Sequence, residues 1–118
     1  VLASFDWQNR HVVQSFGQRI IALFNKGAHQ PLARMYSNSA VHISEKQTIL
    51  GAANIHSKYE QIFGIERPGA KYRLLSEEGD HNNYTITWNA NLGDKELMGR
   101  DSFGIQGNKI VYQFSKVM

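Results

Sequence analysis

The chain has no cysteine, which removes disulfide frameworks, thiolate nucleophiles and cysteine-ligated metals from consideration. No stretch approaches the ~18–20 consecutive apolar residues of a membrane-spanning helix, and no charged and apolar leader pattern opens the chain at Val1. The expectation is a soluble protein with no membrane partner, its compartment open and the cytoplasm slightly favoured. Its five histidines, His11, His29, His42, His56 and His81, show no short metal-ligand spacing, so no metal is expected. There is no Gly-rich phosphate loop after a strand and no Gly-x-Ser-x-Gly elbow. The 13 Lys and Arg, for a net charge of +3, are scattered instead of gathered into the stripe that nucleic-acid binding requires. Neither nucleic acid nor a cofactor is expected.

What is present is the makeup of an ordinary globular protein: 118 residues, 42% apolar and 19% charged. That length suits one domain, 1–118. Trp7, Val12, Val13, Phe16, Ile20, Leu23 and Phe24 recur at three- and four-residue steps, which predicts a helix from about Asp6 to Lys26. Asp6 is placed to cap it, Phe5 to staple it, and Lys26 with Gly27 to end it. Ala28 to Tyr36 reads as a short second helix around Pro31, and Ser37-Asn38-Ser39 as a turn. Ala40 to Ser44 alternates as a strand that sets His42 on the face opposite Val41 and Ile43. Gly51 opens a third helix, with Ile55, Tyr59, Ile62 and Phe63 as its stripe, ending near Gly64.

From Lys71 the period changes to two. Strands are predicted over Lys71 to Glu78, Tyr84 to Leu92, Glu96 to Gln106 and Lys109 to Val117, joined by short turn-rich connections that force antiparallel neighbours. Helices first and an antiparallel meander after them is the order of an α+β fold. The final hairpin turns at Gln106-Gly107-Asn108. Along its first strand Leu97, Gly99, Asp101, Phe103 and Ile105 share a face, so one carboxylate sits in an apolar row. That is costly unless the group is hydrogen-bonded, paired or lining a wet cavity.

The hairpin wording of Gly99, Asp101, Phe103 and Gly107-Asn108-Lys109-Ile110 resembles the nuclear transport factor 2-like superfamily, and within it the SnoaL-like group. The segments Tyr36-Ser37-Asn38-Ser39-Ala40-Val41, Gly51 to Phe63, and Tyr84-Thr85-Ile86-Thr87-Trp88 are similar to its approach to the first strand, its third helix and its central strand. The resemblance implies three N-terminal helices packed in a strongly curved antiparallel sheet, forming a cone with a pocket, often in a homodimer through the outer sheet face. It further implies cofactor-free acid/base chemistry on a small hydrophobic carbonyl compound, or a non-catalytic ligand-binding or association module built on the same cone.

Asp101 matches the acid/base aspartate of SnoaL-like cyclases. Ketosteroid isomerases carry their base at the end of the first strand, where this chain has Ile43-Ser44 with Glu45 beyond. Limonene epoxide hydrolases place an arginine where Gly99 stands. Asp101 is thus read as a catalytic acid/base or a hydrogen-bonded structural carboxylate, and His42 as its proton partner or a wall histidine. Trp88, Tyr59, Tyr36, Tyr112 and His56, together with Tyr72, are expected to supply walls and polar tips to the pocket, or else to be core.

Overall fold

A computed structural model of the chain describes residues 14–118. Its first described helix, α1, is Phe16–Lys26, and Ser15 before it has extended backbone, φ −66° and ψ 163°. Ser15 Oγ accepts from the Gln18 N–H at 3.0 Å, while Gln18 Oε1 accepts from the Ser15 N–H at 2.9 Å. This reciprocal capping box starts α1. The apolar periodicity from Asp6 to Lys26 is therefore not one helix, and the expected cap at Asp6 and staple at Phe5 lie outside the described residues. Gly27, with φ 61°, closes α1 as foreseen.

Helix α2 is His29–Arg34, shorter than expected because Met35 caps it and Tyr36 already begins a strand. That strand, β1, is Tyr36–Ser44; it absorbs Ser37-Asn38-Ser39, which is strand and not a turn. A short strand the sequence reading missed, β2, is Thr48–Leu50. Helix α3 is Ala52–Gln61, and it does not stop near Gly64 but widens into a π-helical turn, Ile62–Glu66. The strands β3 Lys71–Gly79, β4 Asn83–Asn91, β5 Glu96–Gln106 and β6 Lys109–Val117 follow the expected bounds within a residue.

The six strands form one curved, unclosed sheet in the order β2-β1-β6-β5-β4-β3. It is mixed, not antiparallel: β1 and β6 run parallel, with His42 beside Gln113 and Ser44 beside Ser115. Parallel strands need a long connection between them, and here that connection contains most of the fold.

Register breaks bend the sheet. Ile105 pairs with Ile110 but Gly104 with Tyr112, so Val111 is an extra residue in β6; Leu75 is likewise extra in β3 between Leu74 and Ser76. Such bulges add local twist and curvature. The concave face carries Ile86, Trp88, Phe103 and Ile110, all buried against Ile20, Phe24 and Ile55 of the helices. Phe16 meets Phe103 edge-on with ring centroids 5.1 Å apart, and Phe24 meets Tyr72 at 5.2 Å. Asn25 locks α1 to β3 through both backbone polar groups of Tyr72, at 2.9 and 2.6 Å.

Candidate functional site

The carboxylate of Asp101 is 4% exposed and stands on the concave side of β5. Three donors converge on it. The Trp88 indole N–H reaches Oδ2 at 2.7 Å, Gln113 Nε2 reaches Oδ1 at 2.9 Å, and the Ser115 hydroxyl also donates to Oδ1. Each comes from a neighbouring strand, so the cluster is a direct product of sheet register. Trp88 faces Gly99 in the β4–β5 ladder, and Asp101 pairs with Ser115 across β5–β6.

Counting protons gives the network a direction. The single hydroxyl proton of Ser115 goes to Asp101, so in its 2.7 Å contact with His42 Nε2 the serine accepts and the imidazole donates. Tyr36 gives its proton to Gln113 Oε1, which makes Tyr59 the donor in the 2.7 Å Tyr59–Tyr36 contact. Two chains, Tyr59 to Tyr36 to Gln113 and His42 to Ser115, therefore both end on one carboxyl group. All its partners donate, which leaves Asp101 a pure acceptor.

Burial pulls the His42 imidazole below the ordinary histidine value, with Lys58 adding to the effect and the charge of Asp101 opposing it. A neutral His42 that donates through Nε2 carries its lone pair on Nδ1, and that buried atom has no partner among the described residues. Burial likewise pushes the Tyr36 phenol well above its ordinary value, with Tyr59 reinforcing the shift, and it raises Tyr59, with Asp101 reinforcing. Both phenols stay protonated donors.

Beside this cluster lies a cavity of about 360 Å³. Asp101, Gln113, Ser115 and His42 form its polar floor, and Phe24, Tyr59, Phe63, Tyr72 and Trp88 its aromatic wall. The wall is a continuous packing of rings: Tyr59 stacks on Phe63 at 5.6 Å, and Tyr72 meets Trp88 edge-on at 5.3 Å. Charged groups, among them Lys58, Glu66 and Arg67, frame the mouth.

Asp101, His42, Trp88 and Tyr59 are thus brought together as expected. Tyr36 belongs to the hydrogen-bond network without lining the cavity. Tyr112 does not line it either: it stands 41% exposed on the convex face, over Gly104, with its hydroxyl donating to Asn83 at 3.0 Å. The extra residue Val111 reverses the alternation of β6 and turns Tyr112 outward. His56 does not line the cavity either; on α3 it meets His29 at 2.8 Å. Gln113 and Ser115 are the residues the sequence reading missed. Their signal was hidden by the same bulge, since strict alternation from Ile110 places them on the outer face. No group of His, Cys, Asp or Glu among the described residues is arranged to hold a metal ion.

No protein-family model matches the sequence, and no curated protein matches it. Solved structures do match in fold. A nuclear transport factor 2-like protein of unknown function from Mesorhizobium loti superposes with a TM-score of 0.74 at 17% identity, covering 86% of each chain. A proposed ketosteroid isomerase from Kribbella flavida gives 0.74 at 14%, over 86% of this chain and 74% of that one. A proposed isomerase of the SnoaL-like family from Agrobacterium tumefaciens gives 0.72 at 14%, over 86% and 93%. With its helices held in a curved, unclosed six-stranded sheet, this chain has the fold of the nuclear transport factor 2-like superfamily.

Proposed function

We propose that the protein binds a small, mainly apolar carbonyl compound in the cone and moves a proton on it without a cofactor, with Asp101 as the acid/base. The observation that carries this is the placement of Asp101, a buried acceptor on the floor of a cavity whose walls are aromatic. About 360 Å³ is near the lower end of ligand pockets, so the substrate is small. In the step proposed, Asp101 takes a proton from the carbon next to the carbonyl. The C–H electron pair forms the new C=C bond, and the oxygen becomes an enolate, which the Tyr59 hydroxyl on the cavity wall holds by turning its proton from Tyr36 to the ligand. The proton returns to a different carbon in an isomerisation. Two structural neighbours are proposed isomerases, which agrees with this reaction class.

One observation favours a second reading, a ligand-binding module without chemistry. Asp101 already accepts from three donors, an arrangement that also serves a purely structural carboxylate. Deuterium exchange separates the two. Small ketones and polyketide-like aromatics that stabilise the protein are incubated with it in heavy water. Deuterium entering the position next to the carbonyl, and lost in Asp101→Asn while binding persists, supports the enzyme. Binding without any exchange leaves the module.

The homodimer implied by the sequence resemblance would use the convex face. There Val41 lies beside Tyr112 and Ile43 beside Phe114 in the β1–β6 ladder, with Phe114 55% exposed. This apolar patch is offered to a second copy of the chain.

A further inference from the structure

Arg67 is the residue of the site that the proposed proton transfer does not use. It follows the π-helical turn, whose i→i+5 bond from the Arg67 N–H to Ile62 O, 2.8 Å, fixes its backbone, and it lines the cavity. Such turns are rare and concentrate at functional sites. The guanidinium carbon stands 5.4 Å from the centre of the Trp88 ring, and one of its nitrogens donates to the Tyr72 hydroxyl at 3.4 Å. Among the described residues it has no carboxylate within ion-pair distance; Glu66 next to it is taken by Lys58 at 2.8 Å. A half-buried guanidinium oriented on an indole, with most of its donors unspent, is built to take a planar anion in a bidentate manner.

The rest of the mouth has the same bias. Lys46, Lys58, Arg67 and Lys116 line the cavity against only Glu45 and Glu66. The floor has the opposite charge in Asp101, which repels an anion placed there. One indole thus separates the two poles: its N–H edge is bonded to Asp101 and its face lies under Arg67.

We infer that the ligand is an organic acid: an aromatic or aliphatic body along the aromatic wall, its carboxylate on Arg67 at the mouth, and its reacting carbonyl at the Asp101 floor. This deepens the pocket reading above and rests on it. The charge arrangement fixes which end enters first, because the reversed ligand sets its carboxylate against Asp101.

The test compares 2-naphthylacetate with the neutral 2-naphthylacetamide by titration calorimetry, since the pair differs in charge and little in shape. The acid is expected to bind about tenfold more tightly or better, the scale of one charge-assisted hydrogen-bonded pair. Raising the salt concentration should narrow the gap. Arg67→Gln should abolish the preference, lowering the affinity for the acid by more than that for the amide, and Arg67→Lys should restore part of it by returning the charge without the fork. Circular dichroism confirms that both variants fold; if Arg67→Gln does not, the Arg67→Lys loss and the salt dependence still decide. Equal binding of acid and amide, or a preference that survives in both Arg67 variants, overturns the inference and leaves the pocket reading intact. Binding of neither probe overturns both.

Discussion

Trp88 and Asp101 are diagonal neighbours across β4 and β5, and the indole N–H reaches the carboxylate at 2.7 Å only because the residue directly opposite Trp88 is Gly99. Any Cβ at Gly99 would overlap the indole ring. Gly99 is not in the left-handed region of backbone conformation, so the requirement is one of space.

Gly99→Ala should therefore act on the site and on stability together. Overpacking a fitted interior costs about 1–3 kcal/mol, and here the displaced group is the indole that holds Asp101. The expected outcome is a lower urea midpoint with weakened ligand binding; an unchanged midpoint would mean that the ring has room to move.

Removing the acceptor at the centre of the network should cost more than altering it. Asp101→Ala strands the donors of Trp88, Gln113 and Ser115 in a buried site, and each unsatisfied group costs about 1–3 kcal/mol. Asp101→Asn keeps one acceptor oxygen, so its loss should be smaller. Chemical denaturation of the two variants checks the order.

His42 is expected to make stability depend on pH on the acid side. Burial lowers its pKa below the ordinary 6.5, so the unfolded chain binds a proton more readily than the folded one. Stability contributed this way is fully present above about pH 7.5 and falls as pH drops below 6.5 toward the folded value. His42→Gln should flatten this part of the profile, measured as the difference in urea midpoint from the parent chain between neutral and mildly acid pH. Parallel profiles for the two chains would refute the assignment.

At alkaline pH the sign reverses. The Tyr36 and Tyr59 phenols are raised above the ordinary 10.0 by burial, so their stabilisation is intact below pH 10 and drains away above it as the unfolded chain gives up its protons first. Ultraviolet absorbance of phenolate from these two residues should appear only together with loss of near-ultraviolet circular dichroism. Replacing each by Phe identifies its share of the signal.

Phe114→Lys places a charge on the convex patch beside Ile43 without touching the cavity. If two copies associate there, sedimentation should show the parent chain as a dimer at tens of micromolar and the variant as a monomer of equal ligand affinity. A monomeric parent chain overturns the proposed dimer.

The parts of this fold that could be read directly from the residues are those governed by local periodicity. The β5–β6 hairpin, the end of α1 at Gly27 and the inward rows of Asp101 and Trp88 all follow from alternation and turn chemistry. Three things did not follow. The start of α1 after Ser15 was hidden because the apolar spacing runs on through it, although Ser15 followed by Gln18 is a capping-box pattern. The parallel pairing of β1 with β6 is a contact between distant segments, which no local pattern encodes. The inserted Val111 shifts one strand by a single residue, and this exchanged the faces of Tyr112 and Gln113. Two of the three donors to Asp101, Gln113 and Ser115, lay behind that one insertion.

The central position of β6, between β1 and β5, has a consequence for biosynthesis. During translation β1 emerges before the other five strands of the sheet and its parallel partner β6 after them, so the inner edge of β1 waits unpaired while the intervening elements are made. Gln113 and Ser115 arrive with that strand, and the pocket floor is completed in the same event that joins the two halves of the sheet. Such distant pairings are slow to form and open to association with other chains in the interval. The stretch of synthesis that separates β1 from β6 is thus the interval in which this edge is open to such association.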